Sequence, residues 1–259
     1  MTTTWSLTFL DKLVAEGRTA FTAAEARDLL GLSAQATSNV LTRLTKAGLL
    51  ERVAGGRYVI RPIGALGTNA GWDDLGSAVG AVFFGHPHRV GFLTALDHHG
   101  LLVRPVRDVQ VASSYRPRLK TVSGRPLRLV AESPGTVLEG TEPLGPSRVS
   151  NVERALLDVA SKPRIVGGAS PLAEALSSVQ HVSGISALAG RLKAEVALRR
   201  VGSVATALSF SVAADIPPIP WKSVIELEPG AKRGHGWIDK RWGVGWSYPV
   251  GELEAVVST

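Results

Sequence analysis

Residues 22–48 constrain this chain more than any other segment. Thr22-Ala23-Ala24-Glu25 is a capping box. The Thr22 hydroxyl can accept from the amide three residues on while the Glu25 carboxylate reaches back to the amide of Thr22, so a helix starts here. That helix runs through Ala26, Leu29 and Leu30 and stops at Gly31. Only Leu32 and Ser33 intervene before a second helical stretch, AQATSNVLTRLTKA, which Ser33 can cap and Gly48 closes. A capped helix, a tight turn and another helix make a helix-turn-helix.

The second of these helices, the third of the chain, has two unlike faces. Ala36, Val40, Leu44 and Ala47 recur at spacings of three and four and form the expected buried face. Gln35, Ser38, Asn39, Thr42, Arg43 and Lys46 form the other, which carries no acidic residue. A face presented to the phosphate field of DNA should avoid carboxylates.

The flanks complete the unit. Leu7, Leu10, Leu13 and Val14, with Asp11, Lys12 and Glu16 between them, read as an amphipathic first helix ended by Gly17, and Phe21 follows as a buried anchor. LLERV and RYVI read as two strands joined by Ala54-Gly55-Gly56, with Arg52 and Arg57 beside the turn. The expectation is a winged helix-turn-helix over residues 1–63. Gln35, Ser38, Asn39, Thr42 and Arg43 are the expected contacts to base edges, and Ser33, Lys46, Arg52, Gly56 and Arg57 the expected contacts to phosphate. The alternative, a three-helix module that binds protein, leaves the acid-free face and the basic wing without a reason.

At 259 residues the chain is too long for a winged helix alone. Arg61-Pro62-Ile63-Gly64-Ala65-Leu66-Gly67 reads as a junction, so residues 64–259 are expected to form a larger mixed α/β domain and the whole an α+β protein. The net charge of +7, from 29 Lys and Arg against 22 Asp and Glu, suits a polyanionic partner without requiring one. No cysteine is present, which excludes disulfides and thiol chemistry. The N-terminal stretch lacks the basic start and apolar core of a signal peptide, and no apolar run reaches the ~18 residues of a membrane span. A cytoplasmic location, no membrane and no cofactor are therefore expected.

In the larger domain, helices are expected over residues 72–84, 89–99, 150–160, 171–180, 185–199 and 201–213, with Ser150 and Glu153 as a second capping box. Strands are expected over 109–113, 119–122, 127–130 and 137–138, and one or two more in the Trp- and Gly-rich tail after Pro217-Pro218-Ile219-Pro220. Arg104, Arg107, Arg116, Arg118, Lys120, Arg125 and Arg128 face only Asp108 over residues 104–128, a candidate second basic surface. The alternative is a solvated strand edge. His98 and His99 are adjacent and, on a helix, would point about 100° apart, so no metal site is expected there. Glu153 and Asp158 are five apart and do not stack. Arg154 and Asp158 can pair instead. No catalytic residues are expected.

Three segments, in order, carry a resemblance. They are the winged helix with its Arg-Tyr-Val strand and Arg-Pro-Ile-Gly exit, Phe92-Leu93-Thr94-Ala95-Leu96-Asp97-His98-His99-Gly100-Leu101, and Val149-Ser150-Asn151-Val152-Glu153-Arg154-Ala155-Leu156-Leu157-Asp158. They resemble the AbiEi family of antitoxins from bacterial type IV toxin–antitoxin systems. The resemblance implies an N-terminal domain that represses its own operon, at double-stranded DNA with an inverted repeat in the promoter. It also implies a C-terminal domain that counters a nucleotidyltransferase-like toxin without stable complex formation. Two other roles for the second domain stay open at this point: a small-molecule sensor, and a nuclease, which would need clustered carboxylates that the strand region lacks.

Overall fold

The structure, a computed structural model, describes residues 3–16, 18, 20–54, 56–60, 72–230 and 236–257. Gly17, Gly55, the junction at residues 61–67 and the side chains of Leu7 and Ala54 lie outside the described residues. The chain divides into two discontinuous compact units. One comprises Met1–Val90, Arg107–Pro134 and Pro143–Arg148, the other Gly91–Val106, Gly135–Glu142 and Val149–Thr259. The first unit thus holds more than the winged helix.

The winged helix consists of α1 (Thr3–Ala15), β1 (Ala20–Thr22), α2 (Ala23–Leu30), α3 (Ala34–Lys46), β2 (Leu50–Ala54) and β3 (Arg57–Ile60). Its core gathers Phe9, Leu10 and Leu13 of α1, Phe21, Ala26, the Val40, Leu41 and Leu44 of α3, Leu50 and Tyr58. Burial of each large apolar side chain stabilises the domain by ~1.5–3 kcal/mol. Phe21 is the hub: Phe9 meets it edge-on at 5.1 Å and Tyr58 stacks on it at 5.8 Å. Two details of the expected faces change. Val14 is 58% exposed, and Phe9 takes its place in the core. On α3 the buried row is Thr37, Val40, Leu41 and Leu44, while Ala47 is exposed. Residues 20–22, only three long, add a strand that sequence periodicity did not suggest. β1 pairs antiparallel with β3, giving the sheet order β1-β3-β2.

A helix α4 (Trp72–Val82) packs on all three of these strands. The larger sheet, order β6-β7-β5-β4-β9-β8, is built from β4 (His88–Val90), β5 (Val109–Ser113), β6 (Thr121–Val122), β7 (Arg125–Ala131), β8 (Thr141–Leu144) and β9 (Ser147–Ser150). β5 is buried at every position, antiparallel to β4 and parallel to β7, as a central strand should be. The helix expected over 89–99 is shorter: Arg89 lies in β4, and α5 spans Phe92–His98. Residues 137–138, expected as a strand, lie in a turn, and β8 and β9 follow where none was expected.

In the second unit α6 (Val152–Ser161) is the central helix, with every residue from Arg154 to Ala160 buried. Around it pack α5, α7 (Pro163–Val166), α8 (Ser170–Ser178), α9 (Ile185–Leu192) and α10 (Glu195–Ala207). The single helix expected over 185–199 breaks at Lys193, whose φ is +54°. The cap of α6 is Asn151, whose side chain accepts from the Arg154 amide at 2.9 Å. Ser150, the expected cap, sits in β9 and donates to Asp158 at 3.0 Å. Arg154 pairs with Asp158 at 2.8 Å and donates to the carbonyls of Thr136 and Glu139.

The tail supplies three short strands, β10 (Ile225–Glu226), β11 (Trp237–Asp239) and β12 (Val244–Trp246), in order β10-β12-β11, then α11 (Val250–Val257), which had no sequence expectation. Arg199 and Arg200 of α10 tie it down. Arg199 donates to the carbonyls of Trp242, Ser223 and Gly243, and Arg200 to those of Glu226 and Ala160. Burial pushes the pKa of both below the usual arginine value.

Candidate nucleic-acid interface

The helix-turn-helix is set by its caps. Thr22 accepts from the Glu25 amide at 3.1 Å, and the Glu25 carboxylate accepts from the Thr22 amide at 2.7 Å. The Glu25 pKa is lowered: burial acts to raise it and is outweighed by the hydrogen bonds from Thr22 and by Arg18, 2.5 Å away. Gly31 ends α2 at φ +61°, a left-handed conformation that a side chain would strain. Ser33 then caps α3, its hydroxyl accepting from the Ala36 amide at 3.3 Å.

With this start, α3 turns Leu41 and its neighbours inward, and Gln35, Ser38, Asn39, Thr42, Arg43 and Lys46 are all exposed. They form two parallel rows at helical spacing. In one row, Gln35 donates to the Asn39 side-chain oxygen at 3.3 Å and Arg43 Nε to the Asn39 carbonyl at 3.4 Å. The Asn39 and Arg43 side chains are both exposed, and an amide and a guanidinium are donors suited to base edges. The other row is Ser38, Thr42 and Lys46, two hydroxyls and a cation.

The wing residues differ in their surroundings. Arg52 is exposed on β2. Gly56 turns the hairpin at φ +78°, and its carbonyl accepts from the Ala23 amide at 2.6 Å. Arg57, expected on phosphate, has protein partners: Nη1 donates to the carbonyls of Ala81 and Val82 at 3.1 and 3.0 Å, and its guanidinium lies 5.7 Å from the Phe84 ring centroid. A cation at the C-terminal carbonyls of α4 is favoured by the helix dipole. Sequence reading missed this because α4 is distant in the chain.

The seven residues of the second basic surface do not behave alike. Arg116, Arg118 and Lys120 are exposed in the segment between β5 and β6. Arg107 is exposed as well, but its carbonyl accepts from Arg125 Nε at 3.5 Å. Arg128 pairs with Asp108 at 2.7 Å. Arg104 is exposed and belongs to the second compact unit.

Residues 6–57 match the model of the MarR family. The N-terminal domain is a MarR-family winged helix, which supports a DNA-binding regulator. No curated protein sequence matches the chain. Among solved structures, the RV2827C protein from Mycobacterium tuberculosis is similar over 99% of this chain and 95% of its own, with a TM-score of 0.65 at 15% identity. At that identity the likeness speaks to the fold, which therefore extends through both units. Among the described residues no helix is long and apolar enough to cross a membrane.

Proposed function

We propose that this protein is a DNA-binding autorepressor and the antitoxin of a type IV toxin–antitoxin pair, countering a nucleotidyltransferase-like toxin. The observation that carries the DNA half is the acid-free, exposed face of α3 on a capped helix-turn-helix, beside an exposed Arg52. Gln35, Ser38, Asn39, Thr42 and Arg43 enter the major groove. Ser33, Lys46, Arg52 and the Gly56 turn follow the backbone. The antitoxin half rests on the resemblance of the 92–101 and 149–158 segments. Ser150, Arg154 and Asp158 in the latter form a buried hydrogen-bonded set, so these residues hold the second unit together.

The test uses the full chain and the DNA upstream of its own gene. Arg43→Ala costs ~1–3 kcal/mol on that DNA and far less on random duplex. Equal losses on both would make Arg43 a backbone contact and remove the base-reading role of the face. Co-expression with the adjacent gene, with growth as readout, tests the antitoxin half separately.

A further inference from the structure

We propose that His98, His99 and Glu142 form a binding site for a divalent transition-metal ion of the zinc class. The proposal is independent of the DNA reading. Candidate ligand atoms of the three residues all lie within 4.8 Å of one another, inside the second compact unit.

The Cα–Cβ bonds of adjacent helical histidines splay apart, but side-chain rotation at the end of the helix brings the rings back together. α5 ends at His98, and His99 is its C-cap, with φ −81° and ψ 2°, before the chain turns through Gly100 at φ +68°. The two rings stand 5.1 Å apart between centroids with their planes 64° apart.

The hydrogen bonding of His99 assigns its tautomer. Nε2 lies 2.7 Å from the carbonyl oxygen of Ser150, which can only accept, so Nε2 carries the proton. In the neutral ring Nδ1 then keeps its lone pair, and Nδ1 is 4.0 Å from a Glu142 carboxylate oxygen. An imidazole that donates one N–H to a backbone carbonyl and offers the other nitrogen is the arrangement that orients metal-bound histidine. The separation is too long for a direct hydrogen bond and close to what an ion needs. Bonds of ~2.0–2.2 Å at a tetrahedral centre place two ligand atoms about 3.3–3.5 Å apart. The Glu142 side chain, 47% exposed, can close the difference, while the His99 side chain is 13% exposed and held.

Two imidazoles and one carboxylate favour zinc-class cations over calcium or magnesium, which prefer all-oxygen sets. Three protein ligands leave one tetrahedral position for water. The ion joins the C-terminal end of α5 to β8, which begins one residue before Glu142.

The experiment is titration of the tag-free full chain with Zn2+ by calorimetry, and with Co2+ by visible absorption. One equivalent of Zn2+ should bind, displace Co2+ from a four-coordinate site and raise Tm. Glu142→Gln and His98→Gln should each weaken binding more than ~10-fold, since loss of even an outer partner costs that much. The exposed Glu142 makes the first variant safe for folding, checked by circular dichroism. His86→Gln and His181→Gln should leave binding unchanged. Absence of stoichiometric binding, or wild-type affinity in both Glu142→Gln and His98→Gln, overturns the proposal.

Discussion

Arg52 and Arg57 flank the same hairpin and would be read alike from sequence, yet their partners separate them. Arg52 is exposed, whereas Arg57 is bonded to the α4 carbonyls of Ala81 and Val82. Arg52→Ala should therefore weaken binding to every DNA sequence and reduce the salt slope of the binding constant by about one unit. Arg57→Ala should leave that slope unchanged and lower unfolding free energy by roughly 1.5–3 kcal/mol, the range for charge-assisted hydrogen bonds. Salt titrations and urea melts of both variants check the pair, and a reduced slope for Arg57→Ala would return that residue to the interface. The same lesson tempers the net charge. Arg89, Arg154, Arg199 and Arg200 are buried and serve the interior, so part of the cation count says nothing about partners.

His88 provides a pH signature. Burial, the largest influence, pushes its pKa below 6.5, the His86 carbonyl at 2.8 Å opposing this in part. The folded state then takes up the His88 proton at lower pH than the unfolded chain does. The contribution is present above about pH 6.5 and is lost as pH falls through the lower folded value. Thermal melts from pH 8 down to 5 should show Tm falling below about pH 6.5, and His88→Gln should flatten that part of the profile. A profile identical in the variant would assign the dependence elsewhere.

At the level of elements, what could be read from sequence was what is local. The Thr22–Glu25 box, the Ser33 cap, the Gly31 stop and the polar face of α3 all depend on residues within four positions of one another, and the structure has each. The strand β5 was legible because five consecutive residues with fixed ends suffice for a pattern. β1, β4 and the tail strands are two or three residues long and show no periodicity. Their strand state comes from partners far along the chain, Val59 for Ala20 and Ser113 for His88. Ser150 lost the capping role for the same reason: β9 claims its backbone, and Asp158 receives its hydroxyl. The His98, His99 and Glu142 grouping has no sequence spacing to reveal it.

A packing prediction belongs at this scale. Gly202 lies on α10 where Trp242, fully buried, presses against the helix: a β-carbon at 202 would stand 2.3 Å from the indole. The indole nitrogen is also held by Thr206 at 3.1 Å, so the ring cannot simply slide. Gly202→Ala should cost ~1–3 kcal/mol as overpacking and change tryptophan fluorescence. A melt and emission spectrum equal to wild type would show that the tail yields.

On the scale of the whole chain, the winged helix is one part of a compact unit. Val59 is buried although it is outside the winged-helix core cluster, and α4 packs on β1, β2 and β3. Cutting the chain at residue 63 would therefore uncover apolar surface, and truncation would confuse loss of contact with loss of fold. The two proposed jobs are better separated by side chains. Asn39 and Arg43 are exposed, and the Arg43 side chain donates to a carbonyl of its own helix. Replacing both by Ala leaves the caps of α3 and the buried Val40, Leu41 and Leu44 untouched. The double variant should melt like wild type, lose specific binding to its promoter and release a reporter placed behind it. If antitoxin action belongs to the second unit, the same variant should still protect cells that express the adjacent toxin gene as fully as wild type does. Loss of protection by the folded double variant, at matched protein level, would tie neutralisation to DNA binding and refute the division of labour. Failure of the wild-type chain itself to protect would remove the antitoxin reading and leave a winged-helix regulator.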